Sequence, residues 1–114
     1  MPSSRNSVLG LVAGASFVAI GVLGFFVNPL LVFTVNAAQN TLHLAVGAAL
    51  LCCAFAGGAA RCNAIVGAVL LSIGIAGLFI VSTEHNVLAV NGASNALHFA
   101  SAACLLAAGL GTRR

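Results

Sequence analysis

Four stretches of about 20 residues each, 8–27, 40–58, 62–82 and 95–111, run without one charged side chain, and that is the length an α-helix needs to cross a hydrocarbon core of roughly 30 Å. They nearly fill a chain of 114 residues. A soluble globule needs a polar skin, and four arginines with one acidic residue cannot supply it when 61% of the side chains are hydrophobic. The expected fold is therefore all-α: a polytopic membrane protein, residues 1–114 forming a single four-helix transmembrane domain. No polar stretch approaches the roughly 50 residues of a separate catalytic or nucleic-acid-binding domain, so no nucleic-acid partner is expected. The net charge of +3 sits beside span ends and reads as topology, not as an anion-binding patch.

The span limits come from local punctuation. The first stops at Asn28-Pro29, because proline disfavours helical geometry in the residue before it. The second ends at Gly57-Gly58 and the third follows Arg61. Arg5, Arg61, Arg113 and Arg114 all fall on the side of the termini and the second connection, whereas the first and third connections hold no lysine or arginine. The positive-inside rule then puts both termini in the cytoplasm of a bacterial inner (plasma) membrane. The alternative that the first run is a cleaved secretory signal is disfavoured, because the run is long for a signal core and its small-residue cleavage region recurs later in the chain. Leu30–Phe33 and Val87–Val90, in the two outer connections, are apolar enough either to lie along the interface or to lengthen the following helix.

The chain repeats itself. Val35-Asn36-Ala37-Ala38-Gln39-Asn40-Thr41-Leu42-His43 returns as Val90-Asn91-Gly92-Ala93-Ser94-Asn95-Ala96-Leu97-His98, and the preceding spans match at Gly14/Gly67, Ile20/Ile73, Gly21/Gly74, Gly24/Gly77 and Phe26/Phe79. The repeating unit is a helical hairpin, 8–58 and then 62–111. Each unit crosses twice, so both copies enter from one side, as parallel repeats with pseudo-two-fold symmetry along the membrane normal. Both Asn-Asn-His groups then share one depth.

At 100° per residue, Asn36, Asn40, His43 and Gly47 lie within about 40° of one another, as do Asn91, Asn95, His98 and Ala102. Such a stripe should face protein, because an amide or imidazole turned toward lipid loses its hydrogen-bond partners at a cost of several kcal/mol. Gly10, Gly14, Gly21 and Gly24 line one side of the first span, and Gly67, Gly74 and Gly77 repeat most of that surface in the third. With Gly47 they read as helix-packing positions, since small residues let backbones approach closely where lipid gives little hydrophobic drive between helices.

The paired Asn-x-x-x-Asn-x-Leu-His stretches, centred on Asn36, Asn40, Leu42, His43 and Gly47, resemble a family of small bacterial integral membrane proteins frequent in actinobacteria and known only as a domain of unknown function. The resemblance covers most of the chain and implies a four-helix membrane fold with no established activity. Ala102 stands where the first copy has Gly47, which separates the two halves.

The first reading of Asn36, Asn40, His43, Asn91, Asn95 and His98 is a polar interhelical layer in which amides and neutral imidazoles satisfy each other. Asn40 or Asn95 as a helix N-cap is a local alternative. The sharper reading is ligation of haem b by His43 and His98, with quinone binding also chemically open. Zinc or copper is weaker, because His85 is the one further imidazole and Glu84 the one carboxylate. Cys52, Cys53, Cys62 and Cys104 map to the cytoplasmic half as packing residues, and Glu84-His85 reads as a solvated loop. A proton-driven transporter would need an embedded carboxylate, and the spans contain none. The expectation is thus a noncatalytic protein without a cofactor, surrounded by membrane lipids. It would serve as an accessory, assembly or stabilising subunit of a larger membrane complex such as a transporter or respiratory assembly. The alternative is a redox protein using His43 and His98. The sequence does not set the oligomeric state.

Overall fold

The computed structural model describes residues 4–111, and among them every regular element is helical: α1 (Arg5–Gly24), α2 (Ala37–Ala56), α3 (Ala59–Ile80) and α4 (Gly92–Gly111). Each helix is long and apolar enough to cross a membrane. The long dimension of 43 Å matches a hydrocarbon core with its headgroup layers, about 40–45 Å. Arg113 and Arg114, part of the charge bias, lie outside the described residues.

α2 and α4 start at Ala37 and Gly92, three residues before the first apolar-run positions Asn40 and Asn95. The cause is capping. Asn36 Oδ1 accepts from the Gln39 N–H at 2.9 Å, and Asn91 Oδ1 accepts from the Ser94 N–H at 2.9 Å, so each side chain satisfies an N–H that the first helical turn leaves unpaired. Asn36 and Asn91 are therefore the caps, and Asn40 and Asn95 lie inside their helices. α1 likewise begins early, at Arg5, with the Ser7 N–H donated to Ser4 Oγ at 3.0 Å. It ends at Gly24, before the expected Val27, as Phe25 and Phe26 turn back on the carbonyls of Val22 and Leu23. α3 starts at Ala59 and takes Arg61 into its first turn.

α2 passes to α3 through Gly57 and Gly58 alone, at φ +111° and +80°. That backbone is strained for any residue with a Cβ, so two glycines make the sharpest connection in the chain. The other two connections are longer. Leu30–Phe33 does not extend α2 but closes on itself, each of its end residues donating its N–H to the other's carbonyl at 2.9 Å. Residues 83–90 form successive turns before α4.

α1 packs along α2 and α3 along α4. The hairpins then meet more sparsely, through α2/α3, α1/α3 and α1/α4, and no Cα of α2 comes within 8 Å of one in α4. Phe17, Val46, Leu50, Val66, Leu70, Ala102 and Leu105 fill the space between them. α2 and α4 thus face each other across the bundle and communicate only through long side chains.

Candidate functional site

Polar side chains gather at both ends of the bundle. At the loop end, Asn36 Nδ2 donates to the Val87 carbonyl at 2.8 Å and Asn91 Nδ2 donates to the Val32 carbonyl at 2.9 Å. These bonds are reciprocal: 36 corresponds to 91, and 32 to 87, at the same spacing of the repeat. Thr34 Oγ1 adds a bond to the Ala89 carbonyl at 2.7 Å. Each cap therefore closes its own helix and clasps the opposite connection, which places Asn36 and Asn91 at one end of the bundle.

One turn deeper, the Asn40 side chain lies directly over Gly24, and Asn95 directly over Gly77. A Cβ at either glycine would overlap the amide, so the small residue is what admits the polar one. Asn95 Nδ2 donates to the Gly74 carbonyl at 3.0 Å. Each amide works within its own hairpin.

The histidines lie a further turn in, about 9 Å from the first residues of α2 and α4 at 1.5 Å per residue. His43 and His98 are 1% and 0% exposed. Their ring centroids are 5.8 Å apart with a 64° interplanar angle, and Phe17 covers His43 at 5.4 Å. Although α2 and α4 do not approach, this pair joins them. None of the four ring nitrogens has a hydrogen-bond partner, and Asn40 Oδ1 and Asn95 Oδ1 are also unpartnered. The expected mutual satisfaction of amides and imidazoles is not what holds the layer: caps, amide-on-glycine contacts and a histidine pair are three separate arrangements. A buried, unsatisfied donor costs about 1–3 kcal/mol, so the imidazole pair is expensive where it stands.

The glycines divide by contact. A Cβ on Gly14 would stand 2.9 Å from the Gly47 carbonyl and one on Gly47 2.7 Å from that of Gly14, so the α1 and α2 backbones touch there. Gly21 meets Leu44, Gly67 meets Leu106, and Gly74 meets the Phe99 ring, while Gly10 lies beside Asn63 and the Leu50 carbonyl. Gly109, absent from the glycines singled out by the repeat, makes the closest backbone approach of the second hairpin: a Cβ there would stand 2.6 Å from the Ala60 carbonyl.

A second polar cluster, also unanticipated, lies at the end of the termini. Asn63 Nδ2 donates to Asn6 Oδ1 at 2.8 Å and to the Asn6 carbonyl at 3.0 Å, while Asn6 Nδ2 donates to the Ala108 carbonyl at 3.1 Å. It ties α1, α3 and α4 together. The signal available was an asparagine at the start of each of two apolar runs, Asn6 just before the first and Asn63 just inside the third; the repeat hid it, since the counterparts of Asn63 and Asn6 are Gly10 and Ala59.

Cys52 and Cys104 are exposed, Cys53 and Cys62 half-buried, and all four are free thiols. Glu84 and His85 are exposed in the second long connection. Among the described residues no three His, Cys, Asp or Glu side chains converge as a metal cluster. A haem does not fit between His43 and His98: a macrocycle could enter only by displacing Phe17 and the surrounding core.

These features define a four-helix membrane bundle built from two closely packed hairpins with a buried polar centre. Residues 7–111 match the family DUF4383, a domain of unknown function, and the chain belongs to that family. No curated protein and no solved structure shows significant similarity to it.

Proposed function

We propose that the protein is a noncatalytic accessory, assembly or stabilising subunit of a larger membrane complex such as a transporter or respiratory assembly. The observation that carries this reading is a groove of about 280 Å³ between α1 and α4, open to the lipid side and walled by apolar and small residues. Ala13, Ser16, Ala100, Ser101 and Cys104 line it at mid-helix. In a bilayer, small residues on an outer face are the surfaces that let another transmembrane helix approach closely. Most of the chain's helical glycines are already used inside the hairpins, and this groove offers small residues on an outer surface to a partner helix. Positive charge at Arg5 and Arg61 supports placing the terminal end on the cytoplasmic side of a bacterial plasma membrane.

A photo-cross-linker at Ala100, in the groove, compared with one at Ile65, exposed on α3, tests the reading in native membranes. The expected result is a discrete protein adduct from position 100 only, lost in Ser101→Phe while the variant still purifies as a folded bundle. Lipid adducts alone at both positions would count against a partner helix. The redox alternative draws on the meeting of His43 and His98. With no room for a haem beside Phe17, this alternative rests on quinone binding, and the absence of quinone from the protein's lipid extract would remove it.

A further inference from the structure

We propose that His43 and His98 form a two-coordinate site for a soft monovalent cation, cuprous copper, near the loop end of the bundle. The inference stands apart from the accessory role and rests on the geometry of the pair. Two imidazoles from diagonally opposed helices converge, almost fully buried, with four unpartnered ring nitrogens. Ordinary packing does not account for this: buried polar groups are hydrogen-bonded in the great majority of cases, and an apolar pair would fill the same volume without the loss.

The separation suits a shared ion. Metal–imidazole bonds of about 2 Å, extended through each ring, place two opposed centroids roughly 6 Å apart; the observed distance is 5.8 Å. The 64° interplanar angle is no obstacle, because a two-donor ion leaves each ring free to rotate about its metal–nitrogen axis. Rotation about χ2, a broad torsion in histidine, lets each ring turn a nitrogen toward the other.

Coordination number selects the ion. Zinc in a structural site takes four protein donors, and no third His, Cys, Asp or Glu among the described residues joins these two. Imidazole is a good copper ligand, and a closed-shell monovalent ion accepts two donors. It also carries half the charge of a divalent ion into a core where every unit of charge is costly.

The test uses full-length protein in detergent with its cysteines alkylated, loaded anaerobically with cuprous ion or zinc chloride and challenged with a copper(I) chelator. One copper per chain should be retained, with X-ray absorption showing two nitrogen donors, imidazole scattering and no sulfur. His43→Ala and His98→Ala should each lower the retained copper at least ten-fold, and His85→Ala should leave it unchanged. Failure of the alkylated wild type to retain copper, retention indifferent to both substitutions, or preferential retention of zinc would overturn the proposal. Should the alanine variants not fold, the absorption spectrum of the alkylated wild type decides alone: paired imidazole donors support the site, and any other shell rejects it.

Discussion

The first hairpin and the second are built to one plan at the loop end and to two plans at the other. Near the loops, cap, amide-on-glycine and histidine recur in register: Asn36 and Asn91, Asn40 over Gly24 and Asn95 over Gly77, His43 and His98. Toward the termini the copies part. α1 and α2 touch at Gly14 and Gly47, whereas in α3 and α4 Ala102 replaces the second glycine and the closest backbone approach moves to Gly109 against Ala60. Gly10 of α1 makes room for the Asn63 side chain of α3, and that asparagine anchors the first hairpin to the second through Asn6. Phe17 covers His43, while Leu70 occupies the matching place in α3. The comparison teaches that the loop-end half of each hairpin follows one pattern, whereas the contacts that join the hairpins toward the termini use residues the two copies do not share.

The strongest way to break this comparison is to fill the small residue beneath an amide. Gly24→Leu would drive a side chain into the Asn40 amide, and the expected loss is on the order of 3 kcal/mol or more, from overpacking added to displacement of a buried polar group. Gly77→Leu should behave the same. Reversible unfolding in mixed micelles measures both, and a large loss in one hairpin with little in the other would end the claim of a shared unit. Gly47→Ala comes next. Its Cβ would stand 2.7 Å from the Gly14 carbonyl, and a cost of about 1–3 kcal/mol follows from forcing two backbones apart. Ala102→Gly in the second hairpin should cost only about 1 kcal/mol, the helix-propensity difference. Equal effects would mean that the hairpins pack alike after all. Asn63→Ala should then cost about 1 kcal/mol, typical of a hydrogen bond between membrane helices, and should loosen the contact between hairpins without opening either one. Cross-linking between a cysteine at Leu9 and the native Cys104, which line one groove between α1 and α4, would register that change.

Much of the fold was legible because the bilayer makes one demand that hydropathy can read: a long run without charge. The helix starts were less so. Ala37 and Gly92 precede the apolar runs, and the caps that place them there are polar residues, which a hydropathy reading assigns to the connection. The stripe argument put Asn40 and His43 on one face, and both are buried. Asn36 left that stripe because it precedes the helix. Local periodicity gives the rotation of a residue about its own helix, but not of one hairpin against another. That rotation depends on unlike residues such as Phe17 and Leu70 filling a shared core, so the contact between the histidines could not be read from spacing. The Asn6–Asn63 latch escaped for a related reason: it breaks the repeat that organised the reading.

The mildest substitutions sharpen the comparison most, because they act where the two halves are most alike. Asn36→Ala removes a cap from α2 and a bond to the Val87 carbonyl; Asn91→Ala removes a cap from α4 and a bond to the Val32 carbonyl. Each should cost about 1 kcal/mol, the usual value of a lost cap. The clasp makes a further demand on where the effect appears. Hydrogen exchange in Asn36→Ala should rise at the start of α2 and also across residues 83–89, although those residues lie in the other hairpin. Asn91→Ala should show the mirror image around residues 30–34. Once one connection is loose, the remaining bond has less structure to hold, so the double substitution should cost less than the sum, with a coupling of about 0.5 kcal/mol. Strict additivity, with exchange confined to the substituted helix, would show that the caps act locally and that the hairpins do not hold each other through their loops.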